Sequence, residues 1–449
     1  MSKGIENVDI KISDHFTINK LLKFAILPMV GMVLGTIYSV IDAWFVARFI
    51  NNTAFSAITL AMPFLLILPA VGFMIGGGGN ALVSKVLGEN DRDRANQIFS
   101  MLVEFSILAG VVMIFIGMIL LDPFLKWQGV DGELLTGSKI YARIMIFSIV
   151  FASANYVFQL FLITVGQQKK ALTITLIMGL TDIVFNSIFI IGLHLGLMGA
   201  AIASVITQMV GPLLAFIYFA SGKNEILQFK KTKIEINVCL KACGNGISEM
   251  IENIAESVVG ILFNWQLLKI AGEYGISAHG AVMYIWYIFI LLIVGFNEAT
   301  VPLIAYQFGA KNDIELKSLL KKCLIIVNVA SILMFFIAEI GSKGLAELFI
   351  HDNEILLEMT IRGFKICGSA LLFLGFNYFT ISFFTALNNG LVSGILSILL
   401  ILFFPIVLVL ILPHFLGMDG IWLAQTITYI LGFCCSISAL LINRQKYDY

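Results

Sequence analysis

The chain has 449 residues, 59% of them hydrophobic and 12% charged, with 28 basic and 28 acidic side chains in formal balance. A soluble domain carries about a quarter charged residues, so this composition and a mean hydropathy of +0.97 place the chain in a bilayer. No basic surplus suggests nucleic acid and no acidic tail is present.

The first 20 residues are polar and lack the apolar core and small-residue cleavage pattern of a secretory leader. The first hydrophobic helix is therefore expected to act as the insertion signal. Apolar runs long enough to cross roughly 30 Å of hydrocarbon follow at 20–48, 54–86, 96–121, 138–165, 170–192 and 197–220. A second set runs over 238–270, 278–308, 316–341, 355–386, 391–413 and 419–442. These twelve spans predict an all-α membrane protein, and several are long enough to require tilt or bending. Pro28, Pro69, Pro212, Pro302 and Pro405 are candidate kinks.

Lysine and arginine placement sets the orientation. Lys3, Lys11, Lys20, Lys23, Lys85, Arg92, Arg94, Lys169 and Lys170 fall on one side. So do Lys223, Lys230, Lys231, Lys233, Lys241, Lys311, Lys317, Lys321, Lys322, Arg444 and Lys446. A multi-pass protein of the plasma (cytoplasmic) membrane with both termini cytoplasmic is expected. The lysine-rich link from Ser221 to Glu235 divides an N-lobe at 1–222 from a C-lobe at 237–449, with a cytoplasmic linker at 223–236.

The halves repeat. Gly196 to Thr207 aligns with Gly417 to Thr428 at a shift of 221, and Asn155-Tyr156 aligns with Asn377-Tyr378 at 222. Val71-Gly72-Phe73 likewise echoes Val294-Gly295-Phe296. Six helices per repeat make the halves parallel, related by an axis along the membrane normal, with the cavity between them.

Carboxylates inside spans are costly and mark ion or substrate paths. Glu249, Glu252 and Glu256 fall within roughly 60° of one another at 100° per residue and form a stripe on helix seven. Asp42, Glu104, Asp182 and Glu298 complete the intramembrane acids, whereas Arg143 is the clearest base at comparable depth. A net negative interior favours cations. Asp42, Asp182, Glu256 and Glu298 are expected to face an internal cavity; Glu104 and Glu249 read equally well as solvated residues near the cytoplasmic face, and Glu339 as interfacial.

Asp182 and Asn186 stand one turn apart on a common face. A carboxylate beside a carboxamide can take up a proton or sodium ion, and a bound organic cation would disfavour that uptake by charge, which is the essential step of antiport. Asp42 and Asp182 are the candidate metal ligands, for sodium alone. Tyr38, Trp44, Tyr141 and Trp286 lie near the acids and could stack on a flat cation, although most aromatic residues of such a chain fill helix contacts or face lipid.

Cys239, Cys243, Cys323, Cys367, Cys434 and Cys435 read as small buried hydrophobes rather than a metal or disulfide framework. Gly76-Gly77-Gly78-Gly79-Asn80-Ala81 fits a loose dinucleotide pattern but lies within a span with no preceding strand. With Gly72 it reads as a close helix contact or hinge. Asn51-Asn52-Thr53 fits a glycosylation sequon on the outer side. No nucleophile or metal motif of an enzyme and no repeated selectivity filter of a channel is present.

The ordered set of residues resembles the multidrug and toxic compound extrusion (MATE) family, in its MepA-like branch. The resemblance rests on Asp42-Ala-Trp-Phe-Val-Ala-Arg-Phe49, Met62-Pro63, Gly79 to Asp91, Gly246-Ile-Ser-Glu-Met250, Asn264 and Pro302 to Asn312. It implies a V-shaped pair of six-helix bundles that exports organic cations in exchange for protons or sodium. Within that resemblance Asp42 matches the N-lobe aspartate, and Asp182 and Asn186 carry the helix-five pair with its residue types exchanged. Ser204, Asn155 and Tyr141 match polar positions, and Asn377 stands where some members place an acid. The family's helix-seven acid falls nearer Ile254 than Glu252 or Glu256.

The expected function is secondary active efflux. Candidate cation or proton groups are Asp42, Asp182, Asn186, Asn155, Ser204, Glu256, Glu252, Glu298 and Asn377; candidate substrate contacts are Tyr38, Trp44, Tyr141, Trp286 and Glu249. No cofactor is expected beyond the coupling ion, H+ or Na+, and the chain is expected to act as a monomer in the lipid bilayer on small organic cations. A lipid-linked precursor flippase of the same superfamily is the closest rival, and a membrane enzyme using paired acids is a weaker one.

Overall fold

The structure is a computed structural model that describes residues 11–128, 131–222, 224–347, 350 and 353–449; Lys3 and Lys223 lie outside them. With no water in hydrocarbon, each span must satisfy its backbone within itself, and the described residues form helices and no strands.

In chain order the helices are α1 (Ile18–Phe49), α2 (Asn52–Ile67), α3 (Ala70–Gly88), α4 (Arg92–Trp127), α5 (Gly132–Met145), α6 (Ile149–Thr164), α7 (Gln168–Asn186) and α8 (Gly196–Ala220). The second half follows with α9 (Ile236–Asn245), α10 (Ile247–Gly309), α11 (Asp313–Glu347), α12 (Glu354–Gly368), α13 (Leu371–Ala386) and α14 (Gly390–Ser397). It ends with α15 (Phe404–Ile411), α16 (Pro413–Leu416) and α17 (Met418–Tyr447). Eleven candidate spans and one bent pair make up to twelve crossings. Large apolar side chains such as Phe115 (66% exposed) and Ile340 (80% exposed) cover the outside, an arrangement that water would not tolerate.

Residues that supply local alternatives to the helical ladder mark the helix starts. Asn51 Oδ1 accepts from Ala54 N at 2.7 Å and Asp91 Oδ1 from Arg94 N at 2.9 Å. Asn51 is thus engaged as a helix cap. Several predicted spans are broken. The run 54–86 breaks at Pro69, which has no N–H to donate, separating α2 from α3. The run 238–270 begins with the separate helix α9 and is interrupted at Gly246; α10 in turn breaks at Gly272 (φ 61°), giving two spans. The run 355–386 bends by 48° between α12 and α13, where the Ser369 hydroxyl donates to Ile366 O at 2.8 Å. Of the cysteines, Cys239, Cys323 and Cys367 are buried, Cys243 and Cys435 half-buried, and Cys434 exposed.

The repeat is visible in the backbone. Positive-φ turns pair as Asn90 with Lys311, Gly166 with Asn388, and Gly196 with Gly417, at the shifts of 221 and 222 seen in the sequence. The two bundles share one core at the end that carries Phe16 and Tyr449. There Leu82, Phe99, Phe161 and Phe219 join Phe296, Leu303, Phe379 and Phe383. Elsewhere each bundle has its own core, around Phe64, Leu121 and Tyr141 in the first and around Trp286, Leu371 and Trp422 in the second. A shared core at one end and separate cores beyond it make the V.

Glycines permit the junction. A Cβ on Gly88 would lie 2.0 Å from Tyr306 O, and one on its repeat counterpart Gly309 would lie 1.9 Å from Lys85 O. The four-glycine run also serves as a close contact, since Gly78 approaches Ala242 O and Gly246 N. The segment before α1 reaches across as well: Phe16 N donates to Glu315 Oε1 at 3.0 Å. In the link between the bundles, Arg94 grips Glu235 through two bonds of 2.7 and 2.8 Å. This holds the Glu235 carboxyl below its ordinary range.

Candidate ion and substrate sites

Three helices of the first bundle bring the predicted acids together. Asp42 lies near the end of α1, Asp182 and Asn186 in the last turns of α7, and Ser204 and Thr207 on one face of α8. The Asn186 amide nitrogen donates to Asp42 Oδ1 at 2.9 Å and to Asp182 Oδ2 at 3.1 Å, so one carboxamide bridges two carboxylates. Thr207 donates to Asp182 Oδ1 at 3.2 Å, and Ser204 lies 3.4 Å from Asp42 Oδ2 while its hydroxyl also faces Ala200 O at 3.1 Å. Asp182, Asn186 and Thr207 are at most 2% exposed. None of the ion pairs among the described residues involves Asp42 or Asp182. The Asn186 carbonyl oxygen is buried and unpartnered. Two carboxylates and an idle carbonyl form an oxygen-rich nest suited to a proton or a hard monovalent cation, because it offers acceptors and few donors.

A cavity of about 830 Å³ lies between the bundles. Glu249, Glu252, Glu256 and Glu298 line it, and neither lysine nor arginine does. Trp286 lines the same wall at 4% exposure and meets Tyr429 edge-on at 5.7 Å. Tyr378 stacks on Tyr429, Phe263 stacks on His279 at 5.4 Å, and Tyr287 faces Glu256. An aromatic wall with interspersed carboxylates attracts a flat cation through ring quadrupoles and full charge together.

Asp42 and Asp182 do not line this cavity, contrary to expectation. Tyr38, one turn before Asp42, and Gln208, next to Thr207, form the wall in front of them. Tyr38 thus joins the cavity, as does Asn155, whose Oδ1 is unpartnered. Asn155 and Asn377 repeat one another structurally. A Cβ on Gly211 would strike Asn155, one on Gly432 would strike Leu400 and come within 3.0 Å of Asn377, and Asn377 donates to Tyr429 O at 2.9 Å behind the wall.

Other candidates lie elsewhere. Trp44 is 53% exposed and packs edge-on against Phe49 at 5.6 Å, on the outer face of α1 and off the cavity wall. Two residues of helix rotate it about 200° from Asp42. Tyr141 is fully buried behind Ser204 and cannot meet a substrate in the cavity. Glu104 is exposed. Arg143 does not enter the cavity, because it pairs at 3.3 Å with Asp122, which also holds Lys139. Glu249 lines the cavity rather than a solvated mouth.

Thr207, Gln208, Tyr156, Tyr287 and His279 join the sites without having been candidate site residues; Thr207 and Tyr156 entered the sequence reading only as marks of the repeat. Thr207 lies three residues from Ser204, so helical spacing from a candidate site residue was the available signal for it.

The MatE family model matches residues 28–188 and 249–412. Curated relatives named "Multidrug export protein MepA" include one from Staphylococcus haemolyticus, 27% identical over 383 residues (84% of this chain, 83% of the relative). Another, from Staphylococcus aureus strain MSSA476, is 24% identical over 424 residues, covering 94% of this chain and 92% of the relative. Among solved structures, a MATE transporter in complex with MaL6 matches with a TM-score of 0.88 at 20% identity over 97% of both chains. An outward-facing multidrug resistance MATE family transporter of the MOP superfamily matches at 0.87, with the same identity and coverage. A MOP superfamily transporter from Pyrococcus furiosus, described as having a binding pocket of reverse polarity, matches at 0.86, again 20% identical over 97% of both chains.

Proposed function

The chain belongs to the MATE family and is a multidrug efflux transporter, not an enzyme, and we propose that it exports organic cations by antiport with protons or sodium. The observation that carries this reading is the cavity itself: four glutamates, an aromatic wall and no lysine or arginine. A lipid-linked pyrophosphate would meet carboxylates there, and like charges in a low-dielectric cleft repel, which disfavours the flippase alternative.

The coupling ion binds at Asp42, Asp182 and Asn186, with Ser204 and Thr207 as supporting hydroxyls. An ion between the two carboxylates removes their mutual repulsion and lets α1 and α7 close up. Without it, Asn186 alone separates them. The transporter works as a monomer in the plasma membrane with both termini cytoplasmic. Residues 1–222 form the N-lobe, 223–236 the cytoplasmic linker and 237–449 the C-lobe. On that orientation the shared core seals the cytoplasmic end, and the cavity belongs to the outward-facing state of an alternating-access cycle.

The test is efflux of a fluorescent organic cation from liposomes holding the purified protein, under an imposed proton or sodium gradient. Accelerated efflux under one gradient is expected, with Asp42→Asn binding substrate but failing to couple. Equal transport with neither gradient imposed, or full coupling by Asp42→Asn, would overturn the reading.

A further inference from the structure

The ion site of the first bundle has a counterpart in the second, and the cavity is open to it. At the repeat's shifts of 221 and 222, Asn264 answers to Asp42, Gln425 to Ser204 and Thr428 to Thr207. The other polar members have apolar equivalents: Phe403 or Phe404 stands for Asp182, and Val407 or Leu408 for Asn186. Hydrogen-bonding groups thus persist there without a carboxylate, and a bare ion would find no counter-charge. The screen is also gone. Tyr38, which closes the first site from the cavity, is matched by Gly260, and a Cβ on Gly260 would meet nothing within 4 Å. Asn264, Gln425 and Thr428 accordingly line the cavity, whereas Asp42 and Asp182 do not.

His279 completes the group from the second part of α10. It is 8% exposed, lines the same cavity and stacks at 5.4 Å on Phe263, the residue before Asn264. Its Nδ1 is buried without a partner, as is the Thr428 hydroxyl oxygen. No neighbour on Nδ1 fixes the imidazole tautomer, so the ring can donate or accept. Idle buried polar atoms are costly, and a ligand that supplies their missing hydrogen bonds gains affinity by doing so. A core of Phe263, Leu267, Val409, Ile421 and Ala424 backs the group, packing α10 against α15 and α17.

We propose that Asn264, His279, Gln425 and Thr428 form a hydrogen-bonding subsite of the cavity, which selects organic cations by an uncharged polar group remote from their charge. Glu256 and Asn264 both line the cavity, and the eight residues of helix between them span roughly 12 Å. A cation seated against Glu256 and the aromatic wall therefore reaches the subsite only when it is elongated. It is held there only when its far end carries a carboxamide, carbonyl or hydroxyl group. Compact or wholly apolar cations leave the polar atoms idle and bind through charge and stacking alone. A site built to hydrogen-bond discriminates against ligands that lack the matching group, because its own polar atoms are then left unpaired. The substrate class rests on the reading of the chain as an exporter of organic cations; the openness of the subsite does not.

The experiment is fluorescence titration of full-length protein in lipid nanodiscs with two styryl-N-methylpyridinium dyes. One carries a carboxamide on its far ring, the other an isopropyl group of similar shape. The ratio of their affinities, corrected for uptake by protein-free nanodiscs, reads the subsite. Asn264→Leu, His279→Phe and Thr428→Val should each lower the preference for the carboxamide dye about fivefold or more, through loss of that dye alone. Gly260→Tyr, which rebuilds the screen of the first bundle in open space, should lower it as well. A ratio that stays at the wild-type value throughout these variants, while Glu256→Gln still weakens both dyes, overturns the proposal and spares the organic-cation reading. Binding of neither dye, or binding of both that is indifferent to Glu256→Gln, overturns that reading and the proposal with it.

Discussion

Replacing Gly88 by alanine tests whether the junction of the bundles is a switch. The new Cβ would sit 2.0 Å from Tyr306 O, 2.8 Å from Ala310 N and 2.9 Å from Tyr306 C. All three atoms are backbone, so no side chain can swing aside, and α3 and α10 must separate by on the order of 1 Å to restore contact distance. Overpacking of this kind costs about 1–3 kcal/mol. Because the contact exists when the bundles are joined, the cost falls on that state and lowers its population about 5- to 150-fold relative to the separated one. Alanine is intrinsically the better helix former by about 1 kcal/mol, so a loss cannot be ascribed to a weakened helix. Gly309→Ala, aimed at Lys85 O from the other side, should act alike, and the double variant should fall short of the sum because one contact is being relieved. Gly344→Ala has nothing within 4 Å and is the control. Spin labels on Arg92 and Ile314, exposed positions at the starts of α4 and α11, should report a longer mean distance in Gly88→Ala, with slower dye efflux. A distance distribution matching both the wild type and Gly344→Ala would refute the switch.

Two further outcomes follow from single contacts. Glu256 stands at the aromatic wall with Tyr287 and Trp286, so Glu256→Gln should weaken binding of a flat organic cation about tenfold or more while sparing an uncharged dye; fluorescence titration of both ligands checks it, and equal losses would point to misfolding instead. The Glu235 carboxyl is held low by Arg94, so the pairing stabilises the link above the ordinary glutamate range, about pH 4, and is lost as pH falls through the lowered value. Arg94→Ala at neutral pH should therefore speed proteolysis of the link, as acid should in the wild type, and equal cleavage rates would count against it.

The spans were legible because hydrocarbon thickness fixes their length whatever surrounds them. Their breaks were less so. Pro69 announces its own, but the 48° bend after Gly368 is stabilised by the Ser369 hydroxyl on Ile366 O, which follows no strong local signal. The pairing of Asp182 with Asn186 could be read from helical spacing. Its meeting with Asp42 could not, because that depends on how α1 leans on α7; the resemblance to a family, not periodicity, pointed there. Trp44 shows the opposite error: proximity in sequence to Asp42 suggested a shared site, while helix rotation turns it outward. Glu249 was legible as an acid of helix seven, but its approach to the other bundle depends on Gly77, whose missing Cβ leaves room for the Glu249 side chain.

If Asp42 and Asp182 hold the coupling ion as proposed, their placement behind the wall sets how substrate and ion must communicate. A cation in the large cavity does not touch Asp42 or Asp182, so direct displacement of one by the other is geometrically excluded in this state, and the message must pass through Tyr38 and Gln208. The Tyr38 side chain lies on Gly179, where an added Cβ would be 3.4 Å from Tyr38 Cβ and 3.8 Å from its ring; any approach of α1 to α7 on ion binding therefore moves the tyrosine ring and reshapes the wall. Tyr38→Phe keeps the ring and loses the hydroxyl, whereas Tyr38→Ala opens a polar path that water can fill. Carbodiimide modification of Asp42 and Asp182, read by peptide mass spectrometry, should rise about tenfold or more in Tyr38→Ala and stay near wild type in Tyr38→Phe. Ion flux without substrate should appear in the alanine variant, because a wetted path joins the ion site to the cavity without the conformational step that couples them. If Tyr38→Ala leaves both aspartates as protected as they are in the wild type, Tyr38 is not the barrier, and the coupling route must run through the packing of α8 behind Gln208.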